Sequence, residues 1–109
     1  MAIVVQKETF SAWIDAMPGP GATPSFIVKG TCEAPTSGWT IDLVAAVPQG
    51  INPQIKILEI RATPPAGPVL EVITAVEVAY RESPAGNDYT EAMIRHEKVS
   101  FTIPVDTAS

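Results

Sequence analysis

The residues that could do chemistry are few and far apart. The chain of 109 residues holds one histidine, His96, and one cysteine, Cys32. A zinc site built from nitrogen and sulfur ligands needs three or four such side chains, and two cannot supply a tetrahedral set. A lone cysteine also excludes an internal disulfide. Nucleophilic work by Cys32 would need a neighbouring base and a depressed pKa, whereas its place in the alternating stretch SFIVKGTCE predicts a buried, inert thiol. Arg95 and Glu97 flank His96, but on a strand both point to the face opposite its ring and neither can orient it. The twelve Asp and Glu residues are dispersed, with no D-x-D-x-D-G loop for calcium. The seven glycines, at 19, 21, 30, 38, 50, 67 and 86, never cluster into a phosphate cradle. These residues predict a protein that is not an enzyme, with no catalytic, cofactor-binding or metal-binding set.

Charge narrows the partners. The net charge is −5, and the seven Lys and Arg stand singly along the chain. Phosphate backbones are bound by clustered cations, so nucleic acid is excluded as an expected partner. No stretch of 18 apolar residues suggests a membrane-spanning helix. The N-terminal MAIVVQKETF lacks the basic start and long apolar run of a secretory signal. A cytoplasmic location is the expectation, with secretion as the alternative if a leader has been removed. Apolar residues make up 46% and charged ones 17%, a balance that supports a folded core rather than a disordered acidic chain.

Eleven prolines divide the chain. Proline cannot donate to a ladder and is confined to loops, edges and strand ends. Between the prolines lie Val-, Ile- and Thr-rich runs with period-two alternation, and none carries a helical apolar stripe. Phe26, Val28, Gly30 and Cys32 share one face of the first clean run. Trp39, Ile41, Leu43, Ala45 and Val47 share one face of the next. Leu58, Ile60 and Ala62 define a third. The longest run, Val69 to Glu82, puts Leu70, Val72, Thr74, Val76, Val78 and Tyr80 inward. Val99, Phe101, Ile103 and Val105 point inward from a final hairpin turning near His96 to Lys98. The N-terminal AIVVQKETFSAWIDA is one long or broken strand. About seven strands in residues 1–109 predict a single all-β domain, an antiparallel sandwich of the immunoglobulin-like or fibronectin-III-like kind. Such a superfold carries no function of its own.

Binding features are left. In TCEAPTSGWTID, Pro35 can set the first corner of a turn and Gly38 can supply a positive φ at its end. That makes Pro35, Thr36, Ser37, Gly38 and Trp39 a candidate partner-binding loop, or simply the hairpin turn between two strands. The segment APTSGW, after an apolar strand and ending in an aromatic, resembles the NPTTGY/F loop of the chagasin-type cysteine-protease inhibitors, which are immunoglobulin-like sandwiches. Pro35, Thr36, Gly38 and Trp39 match, while Ala34 stands for the Asn and Ser37 for the second Thr. The family's GxGG and RPW-like loops have no counterpart. The resemblance implies a loop that wedges into a protease cleft.

Ile73, Ala75 and Ala79 face outward on the longest run, with Val44 and Ala46 outward on another. An apolar outer patch on a small domain marks an interface, and these three residues form a candidate self-association face. At about 46 Å if straight, the run from 69 to 82 also exceeds an ordinary strand and must bend or reach a partner. The Pro-rich loops MPGPGATPS and ATPPAGPV suit stiff presentation of a surface. The expected function is a non-catalytic protein-interaction or accessory module with an unidentified protein partner, a homodimer among the candidates. The alternatives are a cysteine-protease inhibitor using the 34–39 loop and a small-molecule binder in the mouth of the sandwich.

Overall fold

The computed structural model describes residues 3–15, 23–86 and 88–108. Seven strands account for most of them: β1 (Val4–Asp15), β2 (Ser25–Ala34), β3 (Thr40–Ala45), β4 (Ile55–Thr63), β5 (Thr74–Glu82), β6 (Glu91–His96) and β7 (Val99–Ala108). Of the loop MPGPGATPS, residues 17–22 lie outside the described residues.

The strands follow one hydrogen-bonded order, β3-β4-β6-β7-β1-β2-β5. β7 is the hinge of this order. Its first part, Val99 to Pro104, pairs antiparallel with β6, and its last part, Val105 to Ala108, pairs parallel with β1. The two ends of the order, β3 and β5, lie beside each other, so the sheet curls into a nearly closed barrel. The expected antiparallel arrangement holds for four pairings only, since β4–β6 and β1–β7 are parallel. Alternation within a strand fixes which side chains face in but not the direction of its neighbour, which is why sequence patterning missed this.

The core follows the alternation. Phe26, Val28 and Cys32 of β2 are fully buried, with Ile41, Leu43, Leu58, Ile60, Val78 and Ile94 packed around them. β1 is broken, as its length suggested, by a register shift between Gln6 and Ser11. Thr9 bridges the break: its hydroxyl accepts from the Thr31 amide at 2.9 Å and donates to the Gln6 carbonyl at 2.7 Å. The shift turns Phe10 inward, onto Gly30 and edge-on to Phe101. A Cβ at residue 30 would come within 2.5 Å of the Phe10 ring. Among the described residues, the one glycine set inside a strand is therefore a seat for an aromatic ring.

Further readings need correction. The turn at 35–38 is not a hairpin: β2 pairs with β1 and β5, while β3 pairs only with β4, so this loop crosses between the two halves of the sheet. The run from Val69 to Glu82 is not one strand. Leu70 is hydrogen-bonded through its backbone to Ser37, and the Val72 amide folds back onto the Leu70 carbonyl at 2.9 Å, so the ladder begins only at Thr74. Leu70 and Val72, expected inward, are consequently 71% and 53% exposed. Val47 lies beyond the end of β3 and is exposed, and the neighbouring Ala46 is buried instead of outward. Val99, at the mouth of its hairpin, is exposed as well. That hairpin does turn where expected, at Glu97 and Lys98, with Glu97 at φ 51°.

Candidate functional site

Two constellations stand out, one at each end of β5. The first contains none of the candidate site residues named above. Glu82 closes β5, and its carboxylate collects four donors. Oε1 accepts from the Tyr80 hydroxyl at 2.8 Å and from Lys56 Nζ at 2.8 Å. Oε2 accepts from the Tyr89 hydroxyl at 2.7 Å and from the Gly86 amide at 2.6 Å. A carboxylate offers about four lone-pair sites, so none is left for a substrate proton. The Lys56 and Glu82 side chains are 12% and 18% exposed. The ammonium also stands 5.8 Å and 5.5 Å from the ring centroids of Tyr80 and Tyr89, within cation–π range. Phe26 backs both rings, at 6.1 Å and 4.6 Å between centroids.

The electrostatics follow from this geometry. Burial alone would push the Glu82 carboxyl up, but the hydrogen bonds from Lys56, Tyr89, the Gly86 amide and Tyr80 outweigh it and bring it down to about 2. Tyr80 is pushed up to about 12 by burial and by its bond to the Glu82 charge, and Tyr89 is pushed up for the same reasons. All three groups are locked in one protonation state across the neutral range. A charge so fully neutralised and hydrogen-bonded fixes the packing of the strand ends. The sequence did hold a signal for it. Lys56 shares parity with Leu58 and Ile60, and Glu82 with Val78 and Tyr80, so each is a charge on the inward face of its strand, where charges are normally paired.

The second constellation unites two regions that the sequence offered separately. The Ser37 amide donates to the Leu70 carbonyl at 3.0 Å, and the Leu70 amide donates to Ser37 Oγ at 2.9 Å. This pair of hydrogen bonds clamps the 35–39 loop to the segment leading into β5. Inside the loop, Trp39 Nε1 donates to Thr36 Oγ1 at 3.1 Å, and the Thr36 hydroxyl donates to the Ser37 carbonyl at 2.9 Å. Gly38 sits at φ +84°, and a Cβ there would meet Pro65 at 2.9 Å. Trp39 is half-buried against the core, on the inward parity expected for it. Its outer side lines a shallow groove of about 480 Å³ with Pro35, Pro64, Pro65 and Val69. Beyond the groove stand Leu70, Val72 and Ile73, all exposed, and then Ala75 and Ala79, exposed on the outer face of β5.

The two chemically distinctive residues are accounted for by packing. Cys32 is fully buried on the inward face of β2, and burial pushes its thiol up to about 11, away from the thiolate. His96 ends β6 with Nδ1 3.2 Å from the Ile60 carbonyl, an oxygen that can only accept, so a proton on Nδ1 makes the bond. Beside it Arg95 bonds to Glu59 at 3.3 Å, across the β4–β6 pair. Among the described residues no group of three His, Cys, Asp or Glu is arranged to hold a metal ion. Nor is any helix there long and apolar enough to cross a membrane.

No family model matches the chain, and neither a curated protein nor a solved structure matches it significantly.

Proposed function

We propose that this domain is a non-catalytic protein-interaction module whose contact surface runs from the 35–39 loop across Leu70, Val72 and Ile73 to the outer face of β5. The observation that carries the reading is the clamp between Ser37 and Leu70. Two hydrogen bonds, one between backbone groups and one accepted by the Ser37 hydroxyl, hold a tryptophan-bearing loop against a segment whose three large apolar side chains stand in water. Large apolar groups gathered on a preorganised edge lower the ordering cost of binding. The fold that goes with this reading is a sandwich of immunoglobulin-like or fibronectin-III-like character, its two half-sheets joined through β7. The partner is a protein.

Affinity capture with the whole chain as bait tests the reading. A stoichiometric partner bound by the wild type and lost with Leu70→Asp or Ile73→Asp is the expected result. Capture unchanged by both substitutions would overturn it.

The rigid, glycine-dependent geometry of the 35–39 loop favours one second reading, that of a chagasin-like cysteine-protease inhibitor. Incubation with papain-like proteases separates the two. Inhibition at micromolar concentration that disappears on changing Thr36, Gly38 or Trp39 supports the inhibitor, and its absence removes that alternative.

A further inference from the structure

We infer that Ile51, on the loop between β3 and β4, docks into the Trp39 groove of a second copy of this chain, with Val47 against the rim of that groove. The inference rests on the interaction-module reading and names the occupant of one part of its surface.

Among the described residues, the two most exposed large apolar side chains are Val47, at 92%, and Ile51, at 104%. Both stand on the loop of residues 46–54, and that loop is pinned. The Gln49 side chain ties it to the sheet: Nε2 donates to the Ala46 and Ile57 carbonyls, both at 2.8 Å, and Oε1 accepts from the Ile57 amide at 2.8 Å. Asn52 shapes the far side, its Oδ1 accepting from the Gln54 amide at 3.0 Å and its carbonyl from the Ile55 amide at 3.2 Å. Val47 and Ile51 are thus presented on a preformed knob, which has little ordering entropy left to lose on docking.

The groove lies at the opposite end of the β3–β4 ladder. Thr40 pairs with Thr63 at the groove end, and Ala45 with Leu58 at the knob end. Each copy therefore carries a knob and a receptor at separate ends, and a second copy supplies what each of them lacks. At about 480 Å³, the groove falls within the roughly 300–1,000 Å³ of ordinary binding pockets and has room for one branched aliphatic side chain. Charge favours the match. The chain carries −5 overall, so copies meeting through charged faces would repel. The knob segment, residues 43–55, holds no Asp, Glu, Lys or Arg, and neither do the groove segments, residues 34–41 and 62–70. Joining knob to groove therefore buries apolar surface without stripping water from a charge on either of them. The contact is heterologous, since different patches of the two copies meet.

Sedimentation equilibrium on the full chain at micromolar to millimolar concentration tests this, with Ile51→Asp in the knob, Gly67→Glu in the groove, and an equal mixture of the two. Ile51 is fully exposed, and a Cβ at Gly67, which lines the groove, would meet nothing within 4 Å. Neither change should disturb the fold, which far-UV circular dichroism checks. The wild type is expected to exceed the monomer mass as concentration rises. Each variant alone places a charge in an apolar contact and should raise the dissociation constant by at least about tenfold. Mixed, the two should form a one-to-one heterodimer, because one keeps its groove and the other its knob; a merely structural defect could not be rescued in this way. A wild type that stays monomeric throughout would overturn the inference, as would association indifferent to either variant or a mixture that stays monomeric. Capture of a different protein that is lost with Gly67→Glu and kept with Ile51→Asp would also overturn it, by giving the groove another occupant. Failure here with capture still sensitive to Leu70 and Ile73 would leave the interaction-module reading standing with a different partner.

Discussion

At the Glu82 end of β5, four donors converge on one carboxylate and two aromatic rings shield the ammonium beside it. At the Thr74 end, two hydrogen bonds tie Leu70 to Ser37 while Leu70, Val72 and Ile73 stand largely in water. The same sheet thus invests its polar groups in opposite ways. At one end they are consumed internally, so the strand is fixed and chemically silent. At the other they hold backbone in place and leave apolar side chains to the outside. Polar density by itself therefore does not mark a working site. What marks one is whether the groups still have something to offer.

The largest expected effect lies at the Glu82 end. Glu82→Ala leaves the Lys56 ammonium, at 12% side-chain exposure, without its counter-charge. The expected loss is about 3–5 kcal/mol by urea unfolding, as for other buried pairs stripped of one partner. A loss below about 1 kcal/mol would mean that the pair behaves like an exposed one, and the contrast between the ends would fail.

The same cluster sets the pH dependence. The Glu82 carboxyl is lowered from 4.5 to about 2 in the folded state. Its contribution is present above the unfolded value and is lost as pH falls through the folded one. Stability should fall by roughly 3 kcal/mol as pH falls from about 5 to about 2, at 1.36 kcal/mol per unit. Tyr80 is raised from 10.0 to about 12, so its contribution is complete below the unfolded value and is lost as pH rises from about 10 to about 12. Removing Glu82 should flatten the acid limb, and urea titrations across pH check both limbs.

At the other end the effects shrink. Gly38→Ala forces a side chain into φ +84° and to 2.9 Å from Pro65, which should cost about 1–2 kcal/mol and loosen the clamp without unfolding the domain. Smallest of all, Leu70→Asp and Ile73→Asp remove nothing from the core and should change unfolding free energy by no more than about 0.5 kcal/mol, even as they abolish partner capture. A large destabilisation by either would mean that this end, too, is structural.

These two ends also differ in how far the sequence revealed them. The inward row of β2 and the hairpin at Glu97 and Lys98 were legible because alternation and turn position are local properties. The crossover at 35–38 was not, since Pro-x-x-Gly makes the same corner whether the next strand pairs with the last or leaves for the other half of the sheet. Loop residues 35–39 and the apolar row at 73, 75 and 79 could be read separately. Their union could not, because it depends on two hydrogen bonds between residues 33 positions apart, one of them through the Ser37 side chain. The Glu82 cluster was half legible: inward parity marks Lys56 and Glu82 as charges needing partners, but only tertiary pairing brings them to 2.8 Å.

Hydrogen exchange read by mass spectrometry along β5 tests the central contrast most directly. In dilute protein, the amides of residues 76–82 that bond to β2 should exchange only through global unfolding. Residues 69–73 should exchange far faster, by local opening around the clamp. Equal protection of the two segments, or faster exchange in 76–82 than in 69–73, would contradict a strand anchored at one end and open to partners at the other.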